Sequence, residues 1–258
     1  MMRSPGRIMA LVAVGLVAGF LSGLFGVGGG VVIVPALTLL LGYGHRAASG
    51  TSLFAIAPSS LAGAISYGVR GDVDLTAAVL IAAGSVLGTQ LGVALLHRIS
   101  ARTLSFVFAS FVACTLVSLW VVVPTRTGEI TLDLLTGVAL VLIGVVAGAL
   151  SGLVGVGGGV VIVPGLQVLL AAGDLVAKGT SLATMVPTSL LGTLGHLRRG
   201  SVDLRAGLVV GVAAAAVAPL GTVLAGAIDP GVSRVLFSAF LVLVTIPVLL
   251  KNRRPAAR

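Results

Sequence analysis

Residues 22–37 read S-G-L-F-G-V-G-G-G-V-V-I-V-P-A-L, and residues 151–166 read S-G-L-V-G-V-G-G-G-V-V-I-V-P-G-L. The two stretches lie 129 positions apart and differ only at Phe25/Val154 and Ala36/Gly165. The same offset carries Gly50-Thr51-Ser52-Leu53 onto Gly179-Thr180-Ser181-Leu182, Pro58 onto Pro187, and Arg70-Gly71 with Val73-Asp74-Leu75 onto Arg199-Gly200 with Val202-Asp203-Leu204. Gly15, Gly19 and Gly23 likewise match Gly144, Gly148 and Gly152. A period this long belongs to a duplicated half-protein, not to a short solenoid repeat. The halves are residues 8–123 and 134–250, joined by a polar linker, 124–133, and followed by a basic tail, 251–258, expected in the cytoplasm.

Charged residues make up 9% of the 258 positions, against about 25% in soluble chains, and the mean hydropathy is +1.21. So few charges could not clothe a soluble surface of this size. The 37 glycines lie inside apolar runs, which excludes a disordered polar chain. The runs are apolar on every side, whereas the strands of a membrane barrel would alternate. An all-α polytopic membrane protein is the reading that composition allows. The net charge of +9 comes from short loops and tails without an aromatic-rich basic face, so nucleic acid is not an expected partner. Cys114 stands alone in an apolar run, read as a small buried hydrophobe and not as part of a disulfide or metal cluster. The first apolar stretch follows Arg3 and Arg7 as a leader would, yet it has a counterpart deep in the chain and is read as part of the fold.

The apolar runs are 8–24, 31–42, 49–68, 76–96 and 104–123, then 134–153, 160–172, 179–197, 206–228 and 234–250. Most reach the roughly 17–25 residues a crossing needs. The two after the glycines, at about a dozen residues, are shorter and are expected to be half-helices or short helices at a hairpin. If each glycine-broken pair forms a hairpin, each half crosses an odd number of times and the second half is inverted. If the pair makes one crossing, the halves are parallel. Loop charges favour inversion, because corresponding loops oppose each other: Arg46 against Asp174 and Lys178, Arg70 with Asp72 and Asp74 against Arg198, Arg199 and Arg205, and Arg98 and Arg102 against Asp229 and Arg234. Cytoplasmic loops collect Lys and Arg, and the inverted arrangement puts twelve of the 16 inside, with both termini cytoplasmic. Each half then holds one glycine-broken helix pair plus three spanning helices, and Trp120 lies near the outer interface.

Four glycines in five positions should break a helix, since each weakens it by about 1 kcal/mol relative to Ala. The next helix then begins inside the membrane with its first N–H groups unpaired, the equivalent of about half a positive charge. Such an end favours an anion, and two inverted ends facing each other near the midplane form the site of a broken-helix transporter. The expected substrate-binding residues are Ser22, Gly28, Gly29, Gly30, Thr51, Ser52, Ser151, Gly157, Gly158, Gly159, Thr180 and Ser181, with helix breaks at Pro35, Pro58, Pro164 and Pro187. The glycines at four-residue spacing before each motif are read as packing positions. A dinucleotide fingerprint is excluded by the glycine spacing, and a P-loop by the missing Lys.

No Asp, Glu, Lys or Arg lies deep in an apolar run, so the sequence offers no embedded carboxylate for ion coupling. His196, opposite Tyr67, is the one titratable residue near the core and is expected at the interface. Gln90 is matched by Pro219 and has no symmetric role. No Ser/His/Asp or Cys/His set for nucleophilic catalysis and no metal cluster is present, so neither an enzyme nor a cofactor is expected.

The doubled S-G-x-x-G-x-G-G-G-x-x-x-V-P-x-L, with G-T-S and R-G-x-V-D-L downstream, resembles the sulfite exporter TauE/SafE family of membrane transporter proteins over nearly the whole chain. The resemblance implies a multi-pass protein of the cell (inner) membrane that moves small sulfur-containing anions such as sulfite or organosulfonates, commonly outward. The implied partners are a small anionic solute, the lipid bilayer and, in a homo-oligomer, further copies of the chain. A channel-like anion pore and a transporter of another small solute, metal cations included, are the alternative readings.

Overall fold

The computed structural model describes residues 5–96, 99, 103, 106, 110, 112–117, 120, 128, 130 and 133–252. Nine helices are complete among them: α1 (Pro5–Phe25), α2 (Gly30–Leu39), α3 (His45–Gly68), α4 (Leu75–Leu96), α5 (Leu134–Val154), α6 (Gly159–Leu170), α7 (Asp174–Leu197), α8 (Leu204–Ala227) and α9 (Pro230–Asn252). The fifth apolar run and the linker fall largely outside the described residues, although 112–117 are helical. Five of the described helices, α1, α3, α4, α5 and α8, are long and apolar enough to cross a membrane. Large apolar side chains such as Leu16, Leu61, Leu87, Leu142, Leu190 and Leu220 stand exposed along the bundle. Hydrocarbon, not water, is the solvent that suits such a surface.

The two halves interleave. The groove made by Gly15, Gly19 and Gly23 of α1 receives the backbone of α8 at Val210, Ala214 and Ala218. Its repeat on α5, Gly144, Gly148 and Gly152, receives α4 at Ile81, Ser85 and Thr89. A methyl group at any of these six would collide with the opposing carbonyl, so the packing role expected of them holds. The register rises together on both sides, and α1 runs parallel to α8 as α4 runs parallel to α5. α3 and α7 meet in the opposite sense. Gly63 lies against Leu182, Ser60 against Met185 and Gly192 against Leu53, a register that sets Pro58 level with Pro187.

Each glycine stretch breaks the helix and turns the chain back. Gly29 packs on Ala18, and the Arg7 guanidinium lies 5.3 Å from the centre of the Tyr43 ring, so α2 returns alongside α1. Gly158 on Ala147 and Gly165 on Ile143 trace the same hairpin for α5 and α6. At 10 and 12 residues, α2 and α6 span about 15 and 18 Å.

Three expectations need correction. Pro35, Pro58, Pro164 and Pro187 do not end helices: each sits inside one that continues past it. A proline forfeits one ladder bond, and neighbouring helices tolerate that inside a membrane bundle; the breaks fall at the glycines instead. α7 begins at Asp174, five residues ahead of its apolar run, which brings Asp174 and Lys178 onto a helix and into the interior at 5% and 3% exposure. Cys114 is exposed on its helix rather than buried; a thiol behaves as a small apolar group, and an outward position on such a bundle suits it.

Candidate functional site

Residues 26–29 and 155–158 form two short loops, each between a long helix and a short one. Gly26, Gly28 and Gly29 have φ of 72°, 76° and 73°, and Gly155, Gly157 and Gly158 have 77°, 93° and 86°. Three left-handed residues in four positions can only be glycine without strain. The N-cap residues Gly29 and Gly158 offer no side-chain cap. The amides of 27–31 and 156–160 find no acceptor among the described residues. Both loops are buried throughout.

The loops meet at the centre of the molecule. A Cβ on Gly30 would lie 2.6 Å from Val156 Cα, and one on Gly159 would lie 2.7 Å from Val27 Cα. Glycine is therefore required by close approach at Gly30 and Gly159 as well as by conformation at their neighbours. Ile56 and Met185, themselves 129 positions apart, fill the remaining space. Gly28 packs on the Met185 sulfur and Ile56, Gly157 on Ile56 Cδ1 and the same sulfur. This apolar pair packs between the two loops.

The hydroxyl residues divide into three kinds. Ser52 donates to Gly155 O at 2.7 Å and Ser181 to Gly26 O at 2.8 Å, so each latches the loop of the other half. Thr51 accepts from the Asp203 amide at 2.9 Å and Thr180 from the Asp74 amide at 3.0 Å. The R-G-x-V-D-L motif thereby acquires a structural account. Gly71 and Gly200 turn the chain at positive φ, and Asp74 and Asp203 cap α4 and α8 through the Ala77 and Ala206 amides. Ser22 and Ser151 are the third kind. Both are fully buried on the last turn before a loop, and neither hydroxyl has a partner. A cavity of about 10 Å³ brings Ser151 together with Gly158, Val160 and Val161 at the start of α6.

Two charged groups flank the centre in unequal ways. Lys178 donates to Asp174 at 2.7 Å and to Ser233 of α9 at 2.8 Å, while Gln167 of α6 donates to the other Asp174 oxygen at 3.1 Å. The equivalent place in the first half holds Ser49, which donates to Val154 O at 3.0 Å. On that face a cavity of about 500 Å³ opens against His45, Arg46, Ala47 and Ser201. His196 is fully covered at the end of α7, with Nδ1 3.0 Å from Ser201 Oγ. Nearby, Tyr43 donates to Asp203 at 2.8 Å. Burial pushes the Tyr43 phenol above its usual range and the Asp203 carboxylate adds to this, against Arg7. Asp203 is pulled up by burial, but the Ala206 amide, the Tyr43 hydroxyl, the Arg205 amide and Arg7 prevail and hold it below the ordinary carboxylate value. Gln90 donates to Leu191 O from an exposed position and stays away from the loops.

Sequence reasoning overlooked Ile56, Met185, Asp174 and Lys178. The signal for the first two was present: they follow Ser52 and Ser181 by one helical turn, on the same face.

A lipid-faced helical bundle built from a repeated half, with two broken helices meeting at its buried centre, defines a multi-pass membrane transporter. The chain matches the family described as sulfite exporter TauE/SafE over residues 2–119 and 140–258 and belongs to that family, which is one of transporters and not of enzymes. It is 28% identical to the probable membrane transporter protein YdhB of Bacillus subtilis over 198 residues, 76% of this chain and 81% of that one. A probable membrane transporter protein of Methanocaldococcus jannaschii is 26% identical over 254 residues, 93% of this chain and 94% of its own. One from Xylella fastidiosa is 28% identical over 223 residues, 84% and 85% respectively. No solved structure is significantly similar to the chain.

Proposed function

We propose that the protein is a secondary transporter of small sulfur-containing anions such as sulfite or organosulfonates, working outward across the cell membrane. The anion is held at the half-helix N-termini near the midplane. The observation that carries this reading is the pair of glycine-broken ends. Each combines unpaired amides with a buried, unpartnered serine: Ser22 beside Gly28, Gly29 and Gly30, and Ser151 beside Gly157, Gly158 and Gly159. Donors without acceptors in a dry interior are costly unless something negative joins them. Ser52, Ser181, Thr51 and Thr180 serve the site by fixing the loops and helix ends around it.

The halves are taken to be inverted across the membrane, with both termini cytoplasmic. Antiparallel α3 and α7 support this, because repeats related by an axis along the membrane normal would run the same way. The broken pair folding back on itself gives each half the odd number of crossings that inversion needs. The apolar packing of Ile56 and Met185 between the loops, with a cavity at the His45–Ala47 end of α3, fits a cycle that exposes the site to one side at a time.

Reconstituted vesicles loaded with sulfite should show saturable counterflow of labelled sulfite, with sulfate, sulfoacetate and taurine as competitors. Flux without exchange would make the protein a channel, and no flux of any of the four would remove the sulfur-anion reading. Cysteines placed at Val69 and Arg198, exposed repeat positions at the ends of α3 and α7, should label from opposite sides of sealed membranes; same-side labelling would refute inversion.

A further inference from the structure

The two mouths of the bundle differ in charge chemistry. At the start of α3 the repeat positions are His45, which lines the open cavity, and Ser49, which is buried. At the start of α7 they are Asp174 and Lys178, both buried. Lys178 runs directly over the first glycine loop: a Cβ on Gly26 would sit 2.7 Å from its Cα, 2.8 Å from its Cβ and 3.0 Å from its Cγ. Its ammonium is turned to Asp174 and Ser233, so α7 and α9 are tied together across that mouth. Gln167 ties in α6 through the same carboxylate. Other charges near this end are Arg70 and Asp72, which pair with each other at 3.8 Å.

We propose that Lys178 is an anion-exchanging lock, which gives up Asp174 for the transported anion when the site at Gly28–Gly30 is filled. A buried lysine keeps its charge only beside an anionic partner, because a lone ammonium in low dielectric is costly. Asp174 supplies that partner in the closed, empty protein. A sulfite or sulfonate at the α2 N-terminus is a second acceptor within the swing of a four-carbon side chain. Turning to it breaks the ties to α7's own first turn and to α9, and so opens the mouth that the pair had sealed. The lock exists on one face only, since Ser49 holds the second loop without charge. The inference rests on the anion-binding reading above and adds a named cationic partner and an order of events.

The two anions compete for one ammonium, and this gives the test its sign. Sulfite binding to the purified full-length protein is measured by calorimetry at one fixed pH and salt, with Asp174→Asn, Lys178→Gln and Ser233→Ala. Asp174→Asn should bind sulfite about tenfold more tightly than wild type, Lys178→Gln about tenfold more weakly, and Ser233→Ala about twofold more tightly. A pair that only holds the fold predicts unchanged or uniformly weakened binding, and that result overturns the proposal. Should Asp174→Asn not yield a monodisperse protein, Ser233→Ala decides alone, and unchanged affinity overturns it. Wild type that binds no sulfite removes the underlying reading as well; wild type that binds while no variant shifts removes only the lock.

Discussion

Around Gly155 the second glycine loop is held by neutral groups: Ser49 donates to Val154 O and Ser52 to Gly155 O. Around Gly26 the first loop keeps one of those bonds, from Ser181, but the place of Ser49 is taken by Lys178 with Asp174 behind it. A ring cluster adds to this side, with Phe25 4.9 Å from Phe237 and 5.7 Å from Phe240. A neutral hydroxyl bond contributes about 1 kcal/mol, whereas removing one member of a buried ion pair costs about 3–5 kcal/mol. Two loops with nearly the same residues are therefore flanked by unequal chemistry, a neutral hydroxyl bond beside one and a buried ion pair packed over the other.

The strongest way to break this comparison is to fill both loops. Gly28→Leu and Gly157→Leu each force a side chain onto a left-handed residue, at about 1–2 kcal/mol. Each also drives it into Met185 and Ile56. Both variants should insert and lose about a hundredfold in transport rate, as misplacement of a binding geometry does. Normal flux from one of them would mean that only the other loop meets the anion.

A smaller effect separates the two kinds of serine. Ser52→Ala and Ser181→Ala strand the Gly155 and Gly26 carbonyls and should lower stability by about 1–3 kcal/mol, read as a drop in unfolding temperature. Ser22→Ala and Ser151→Ala break no bond. Their stability should stay within about 0.5 kcal/mol of wild type while sulfite affinity falls. Equal melting losses in all four would sink the division between latch and ligand.

The smallest effect lies at the start of α8, where Asp203 caps the helix. Asp203 titrates below the usual value of about 3.9, so its contribution is in full above that pH and is lost as pH falls through the lower folded value. Acid unfolding of Asp203→Asn should be flatter than that of wild type over this window, and an unchanged curve would remove Asp203 from the account.

The duplication, the short helices after the glycines and the glycine breaks were legible because each depends on local chemistry: backbone freedom at residues 26–30 and apolar length beyond them. The start of α7 was not. In a sequence window Asp174 and Lys178 look like loop residues, whereas Gln167 and Ser233, brought from other helices, help make their burial tolerable. The prolines misled for a related reason. Pro58 and Pro187 lie level with each other in the packed centre, where neighbouring helices compensate a lost bond that an isolated helix would not survive. Ile56 and Met185 were ordinary core residues by type; their role came from the antiparallel register of α3 and α7.

The parallel contact of α1 with α8 has a consequence for biogenesis. α1 leaves the ribosome first, yet the backbone that fits its Gly15–Gly19–Gly23 groove belongs to residues 204–227. Until those are synthesised the groove stays against lipid, and the equivalent groove on α5 closes only by reaching back to α4. Neither repeat can mature ahead of the other; a chain stopped before residue 204 would leave the first helix waiting for a partner that never arrives.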